Sequence, residues 1–304
     1  MEAMEFFLKR VPAFSRALGD FDSDDDDNDT ELTDDDNNTI SVSFSNEKDE
    51  ELNVTQVFKD YALISHIIMA IGPLTSAYLL LGLNLVHRNS RIIKVSYKKA
   101  FLIFTSYYLP DCHNTLVICI ENEPKHLSYD YKHILCQYLD HLISPNAYNN
   151  NKQSIKTINV LCSRTVNHHY LSKSKLSTPF IRYIPSSSTM NTNHCTLKPL
   201  EQPNILTGLP AEALTWCYFN SIPPSSVYIV FYSPDVSLCE WSAVKEIFKC
   251  LASADIDILR KYASSSSNDW DKNLLSGSNN NKLIETCITA VCNSERAKTD
   301  QMYT

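Results

Sequence analysis

YALISHIIMAIGPLTSAYLLLGLNLVH, residues 61–87, contains no Asp, Glu, Lys or Arg. A run this long is enough to cross a bilayer as one helix. Gly72-Pro73 interrupts it near the centre, however, and Ser65, His66, Thr75, Ser76 and Asn84 are scattered through it. A strand over 63–71, a turn at Gly72-Pro73 and a helix from Leu74 onward fit that punctuation better. Both halves then become interior elements of an α/β domain. A membrane anchor over 61–87 is the competing reading.

The chain on either side agrees with the α/β choice. Downstream, 100–108 (AFLIFTSYY) and 115–121 (TLVICIE) are continuous apolar runs, the pattern of sheet-centre strands covered on both faces. Residues 128–143 are helical, with Tyr131, Ile134, Leu135, Tyr138, Leu139 and Leu142 on one face and His133, Gln137, Asp140 and His141 on the other. A polar loop, 146–151, leads to a strand over 155–162. Residues 164–200 show little periodicity and read as a long connection. A helix over 209–220, a strand over 226–232 and two helices within 240–262, divided near Ser253, follow. Strands alternating with helices predict a single α/β domain, a mixed sheet with helices on both faces.

Residues 20–36 hold eleven Asp and Glu and no Lys or Arg. With 20–53 poor in aromatics, they cannot bury enough surface to offset ordering entropy, so 1–53 is expected to be a disordered acidic leader. Residues 1–19 could add a short amphipathic helix, limited by Pro12. The domain proper is expected over 54–292, with a low-complexity flexible insert at 264–282, a short helix near 282–292 and an extendable tail at 293–304. Without the eleven acids the formal charge of −8 becomes +3, so a broad nucleic-acid footprint is not supported.

Ten cysteines occur with no C-x-x-C pair, and no continuous apolar h-region precedes them. Reduced thiols in a cytosolic or nuclear protein are expected, most of them buried. The five glycines lie too far apart for a dinucleotide fingerprint, a P-loop or a nucleophile elbow. His133, Cys136 and His141 invite a zinc reading, but neither H-E-x-x-H nor paired C-x-x-C supplies further ligands. His168-His169 and the Cys287/Cys292 pair are similarly isolated. Catalytic, cofactor and metal residues are therefore all assigned as none. A phosphorylase-like or hydrolytic enzyme using Cys or His stays open on fold analogy.

PLEQPNILTGLPAEALTWC, residues 199–217, reads as a rigid loop committing to a helix. Pro203 makes it unlikely that a helix runs through this point, Pro210 suits a first turn, and Leu209, Ala213, Trp216 and Cys217 recur at helical spacing. PLEQPNI followed by LPAEAL resembles the signature block of the proteasome assembly chaperone 1 family. STPFIRYI (177–184), HIIMAIG (66–72), INVLCSRTV (158–166) and the ending Met302-Tyr303-Thr304 are similar to further stretches of that family. The resemblance implies a phosphorylase-like α/β core and a non-enzymatic role without cofactors. It also implies pairing with proteasome assembly chaperone 2 and binding to the α subunits of the 20S proteasome. The family's task is to promote α-ring formation and resist off-pathway α-ring dimers. Its hydrophobic-Tyr-X tail would correspond here to Met302, Tyr303 and Thr304, entering a pocket between α subunits.

Overall fold

The nine strands that organise the protein include two that the leader was not expected to contain. The computed structural model describes residues 41–45, 51–52, 63–85, 88, 90–97, 100–111, 113–121, 123, 129–143, 155–166, 177–185, 197–222, 225–238, 240–254, 256, 259 and 289. All of these belong to one compact unit, 37–304; residues 1–36 form a second unit outside the described residues. The insert 264–282, the tail 302–304 and nearly all of the helix expected near 282–292 also lie outside them.

β1 (Ser41–Ser45) and β2 (Glu51–Leu52) pair antiparallel at one end of the sheet, inside the stretch read as disordered. The cause is local: SVSFS alternates at period two, and its register sets Val42 opposite Val95 and Phe44 opposite Ile93. Val42 packs against the core. The acidic run hides this because the alternation begins only after it ends.

The expected strand-turn-helix at 63–82 is present. β3 (His66–Ile71) is buried on both faces, and α1 (Pro73–Gly82) starts directly after Gly72. Gly72 has φ 102, a conformation that L residues rarely adopt, and Pro73 opens the helix where no N–H partner is needed. Among the described residues no helix is long and apolar enough to cross a membrane.

β4 (Arg91–Tyr97), β5 (Ala100–Leu109) and β6 (Thr115–Ile120) form an antiparallel meander that returns to the parallel side of β3. α2 (Tyr129–Ile143) then crosses to β7 (Thr157–Thr165), parallel to β3 on its other side. β8 (Phe180–Pro185), α3 (Leu209–Phe219), β9 (Ser225–Tyr232) and α4 (Trp241–Ala252) complete the order β2-β1-β4-β5-β6-β3-β7-β9-β8. β6, β3, β7 and β9 are mutually parallel, and β8 is antiparallel to β9. The sheet is thus mixed, as expected. β8 corrects the reading of 164–200 as one connection: six residues of it form a strand beside β9. Too short to show a period, FIRYIP carries its β signal only once β9 lies beside it.

Two apolar layers flank the sheet. α2 and α3 cover one face through Ile134, Leu135, Tyr138, Leu139, Ala213, Trp216 and Cys217, against β-strand residues such as Met69, Ile118 and Val160. α1 and α4 cover the other through Leu74, Tyr78, Leu81, Val244, Ile247 and Phe248, against Ala70, Val117, Leu161 and Val230. Each fully buried side chain of this size contributes about 1.5–3 kcal/mol. The second layer stops short of the β4–β5 hairpin. Phe101 and Ile103 are 51% and 50% exposed, which corrects the expectation that 100–108 is covered on both faces.

Candidate functional site

Chain crossings decide where a site can form. β3 is flanked by β6 on one side and β7 on the other, so the loops leaving their carboxyl ends diverge and open a crevice. Three segments meet there. Glu123 follows β6, Arg164 ends β7, and the 197–208 loop brings Thr207 and Gly208 onto both.

Arg164 Nη1 lies 3.1 Å from Glu123 Oε2 and donates to the Ser163 carbonyl at 3.0 Å. Its Nη2 donates to Glu123 Oε1 and to the Thr207 carbonyl, both at 3.3 Å. Glu123 Oε1 also accepts the Leu209 backbone N–H at 3.0 Å. Gly208, which precedes α3, has no side chain to cap the helix, so Glu123 supplies the acceptor from 86 residues away. A carboxylate at this end is further favoured by the helix dipole. Gly208 has φ 86, and a Cβ there would collide with Glu123 Oε1. Only glycine lets the carboxylate approach so closely.

The loop is anchored a second time at the sheet edge. Leu200 N–H donates to the Tyr183 carbonyl at 3.0 Å and Tyr183 N–H to the Lys198 carbonyl at 3.3 Å, so 198–200 runs along β8. Glu201 receives Arg182 Nε on both oxygens, at 2.9 and 2.8 Å. Arg182 is nearly buried: its side chain is 6% exposed, while Glu201 is 45% exposed. The guanidinium also donates to the Ile181 carbonyl and sits 4.8 Å over the Phe180 ring, which stacks on Phe231. The Thr178-Pro179 and Gln202-Pro203 peptides are both cis. STPFIRYI and LEQPN, distant in sequence order of elements, are thus joined by one ion pair.

Between the loop and the sheet lies a cleft of ≈ 260 Å³, lined by Ile229, Phe231, Arg164, Leu200 and the loop residues 204–207. Ile205 on its rim is 80% exposed. The cleft offers apolar surface and backbone groups, with an arginine already engaged by Glu123. That arrangement suits holding a loop in a fixed shape for a partner.

Nucleophilic chemistry finds little support. Burial pushes the Cys162 thiol up to about 12 and the Cys136, Cys217 and Cys250 thiols up to about 11, so none of the four forms a thiolate near neutrality. The His133, Cys136, His141 set does not converge. His133 packs edge-on against Tyr97 at 4.7 Å, and His141 Nδ1 lies 2.7 Å from the Gln137 carbonyl of its own helix. Among the described residues no three His, Cys, Asp or Glu are placed to hold a metal ion. His168-His169, Cys287/Cys292 and the tail residues Met302, Tyr303 and Thr304 lie outside the described residues. Sequence reading had missed Glu123 and Arg164 as a pair. Forty-one residues separate them, and no local pattern links the ends of two strands.

No curated protein matches the chain. Similar solved structures include a Thermoplasma acidophilum protein of unknown function, with a TM-score of 0.48 at 11% identity over 83% of this chain and 96% of that one. Pyrococcus furiosus PbaA, described as an archaeal homolog of proteasome-assembly chaperone, scores 0.46 at 11% identity over 86% and 100%. Pyrococcus furiosus PbaB, described as an archaeal proteasome activator, scores 0.44 at 10% identity over 74% and 95%. Scores and identities this low carry no argument about function. The family model PAC1, described as Proteasome assembly chaperone 4, matches residues 128–284, just over half the chain and including α2, α3, α4 and both anchors of the 197–208 loop. The chain therefore belongs to the proteasome assembly chaperone family.

Proposed function

We propose that this protein is a chaperone of 20S proteasome assembly that works as a heterodimer with a second, related chaperone. It promotes α-ring formation and resists off-pathway α-ring dimers. The Met302-Tyr303-Thr304 tail anchors it, with Tyr303 as a rigid aromatic plug and a carboxylate captured by backbone donors and lysine. Residues 293–304 form an extendable arm, and 264–282 a flexible insert. Body and tail together make a bivalent attachment in which modest contacts multiply. The reading needs no catalysis and no cofactor.

Membership in the family over 128–284 is the observation that carries this reading. Affinity purification of the full chain from its native cell, followed by peptide identification, tests it. Recovery of 20S α subunits together with one related chaperone is the expected result. Recovery of neither removes the proposal.

A further inference from the structure

The two faces of the β4–β5 hairpin differ. Ile93, Val95, Leu102 and Phe104 point into the layer under α2. The opposite face carries Lys94 across from Ile103 and Ser96 across from Phe101, with Ser43 of β1 beside Lys94. Phe101 and Ile103 are half exposed, and the Lys94 ammonium sits 5.2 Å over the Phe101 ring. α1 packs over β6, β3 and β7, and α4 over β8 and β9, so the covering layer ends before this hairpin. Two neighbouring large apolar side chains on an open sheet face mark an interaction surface more often than a random exposure does.

Charge indicates what covers it. Residues 91–109 hold Arg91, Lys94, Lys98 and Lys99 and no Asp or Glu, in a chain of net charge −8. Among the described residues no ion pair engages Lys94. We propose that this face docks an unlike protein subunit whose surface is apolar with a rim of carboxylates, the partner chaperone of the heterodimer. The inference rests on the heterodimer reading and adds the surface to it. A second copy of this chain fits poorly, because it would set four cations against four with no acid on either hairpin. Nucleic acid fits poorly too: Phe101 is the lone aromatic of β1, β4 and β5 exposed here, and the chain as a whole is acidic. Three strands at about 4.8 Å spacing and seven residues at about 3.4 Å each present a strip of roughly 14 by 24 Å. That is the size of the desolvated centre of an interface, which the surrounding polar rim completes.

The test uses the full chain and the purified related chaperone, with affinity measured by titration at low and high salt. Lys94→Glu and the double variant Phe101→Ser/Ile103→Ser should each weaken binding about tenfold or more, with melting temperatures close to wild type because these side chains face solvent. Lys94→Glu should also flatten the salt dependence. Lys249→Glu, on the outer surface of α4, serves as control and should bind normally. Wild-type affinity in both hairpin variants overturns the inference while leaving the heterodimer standing. Failure of the wild-type chain to bind any related chaperone removes the heterodimer and this inference with it. Self-association, or RNA binding, that the hairpin variants abolish would overturn the choice of partner.

Discussion

Glu201 is the residue on which the signature loop turns. Its carboxylate holds a guanidinium that is almost wholly inside the protein, and an unpaired buried charge is costly. Glu201→Ala should lower stability by about 1–3 kcal/mol, discounted because Glu201 itself is half exposed. Arg182→Met in the same background should recover part of that loss, and a chemical-denaturation double-mutant cycle measures both. Gly208→Ala combines an unfavourable φ with a Cβ driven onto Glu123, and about 1–3 kcal/mol is expected from the backbone alone. The thiols offer a chemical check: with pKa values raised by burial, Cys162, Cys136, Cys217 and Cys250 should resist alkylation at pH 8 until the protein unfolds. Fast modification of Cys162 in the native state would show that its surroundings are wetter than its complete burial implies. At the tail, Tyr303→Ala removes an aromatic anchor, roughly 2 kcal/mol or about thirtyfold in affinity for α-rings. Unchanged binding would make the tail inert.

Elements show where local pattern and neighbours divide the work. α3 has the Pro-containing start that sequence alone anticipates, yet its first N–H groups depend on Glu123 from a different strand. β1 is the element whose contribution is easiest to isolate. It shields the free edge of β4 and adds Val42 to the core. A chain beginning at residue 37 should melt close to the full-length temperature, because the acidic stretch it lacks offers no apolar face. A chain beginning at residue 53 should melt lower and aggregate on heating, since the β4 edge is then unpaired. Equal melting temperatures would mean that β1 contributes nothing.

For the molecule as a whole, coverage of the sheet is uneven in a purposeful way. The α2–α3 layer extends under β4 and β5, whereas the α1–α4 layer leaves the hairpin's other side open. The signature loop lies at the carboxyl ends of β7 and β9, while the open face belongs to the meander on the far side of β3. A chaperone built this way has separate places for a stabilising clamp, a partner and a tail. Deleting residues 302–304 should therefore weaken α-ring binding while leaving heterodimer formation intact, and pull-downs against each partner separate the two effects.

Period and punctuation in the sequence determined the α/β class, β3 with its turn into α1, the buried face of α2 and the start of α3. Each of these depends on residues within a few positions of one another, where backbone geometry converts spacing directly into a shared face. Resemblance of LEQPN and STPFIRYI to one family was equally legible. Only the tertiary structure decided that β1 joins the sheet after an acidic run, that β8 interrupts a supposed loop, and that Phe101 and Ile103 stay uncovered. The Glu123–Arg164 and Arg182–Glu201 pairs belong with these. Such features depend on which strand lies next to which, and burial or pairing at that distance leaves no periodic trace in the chain.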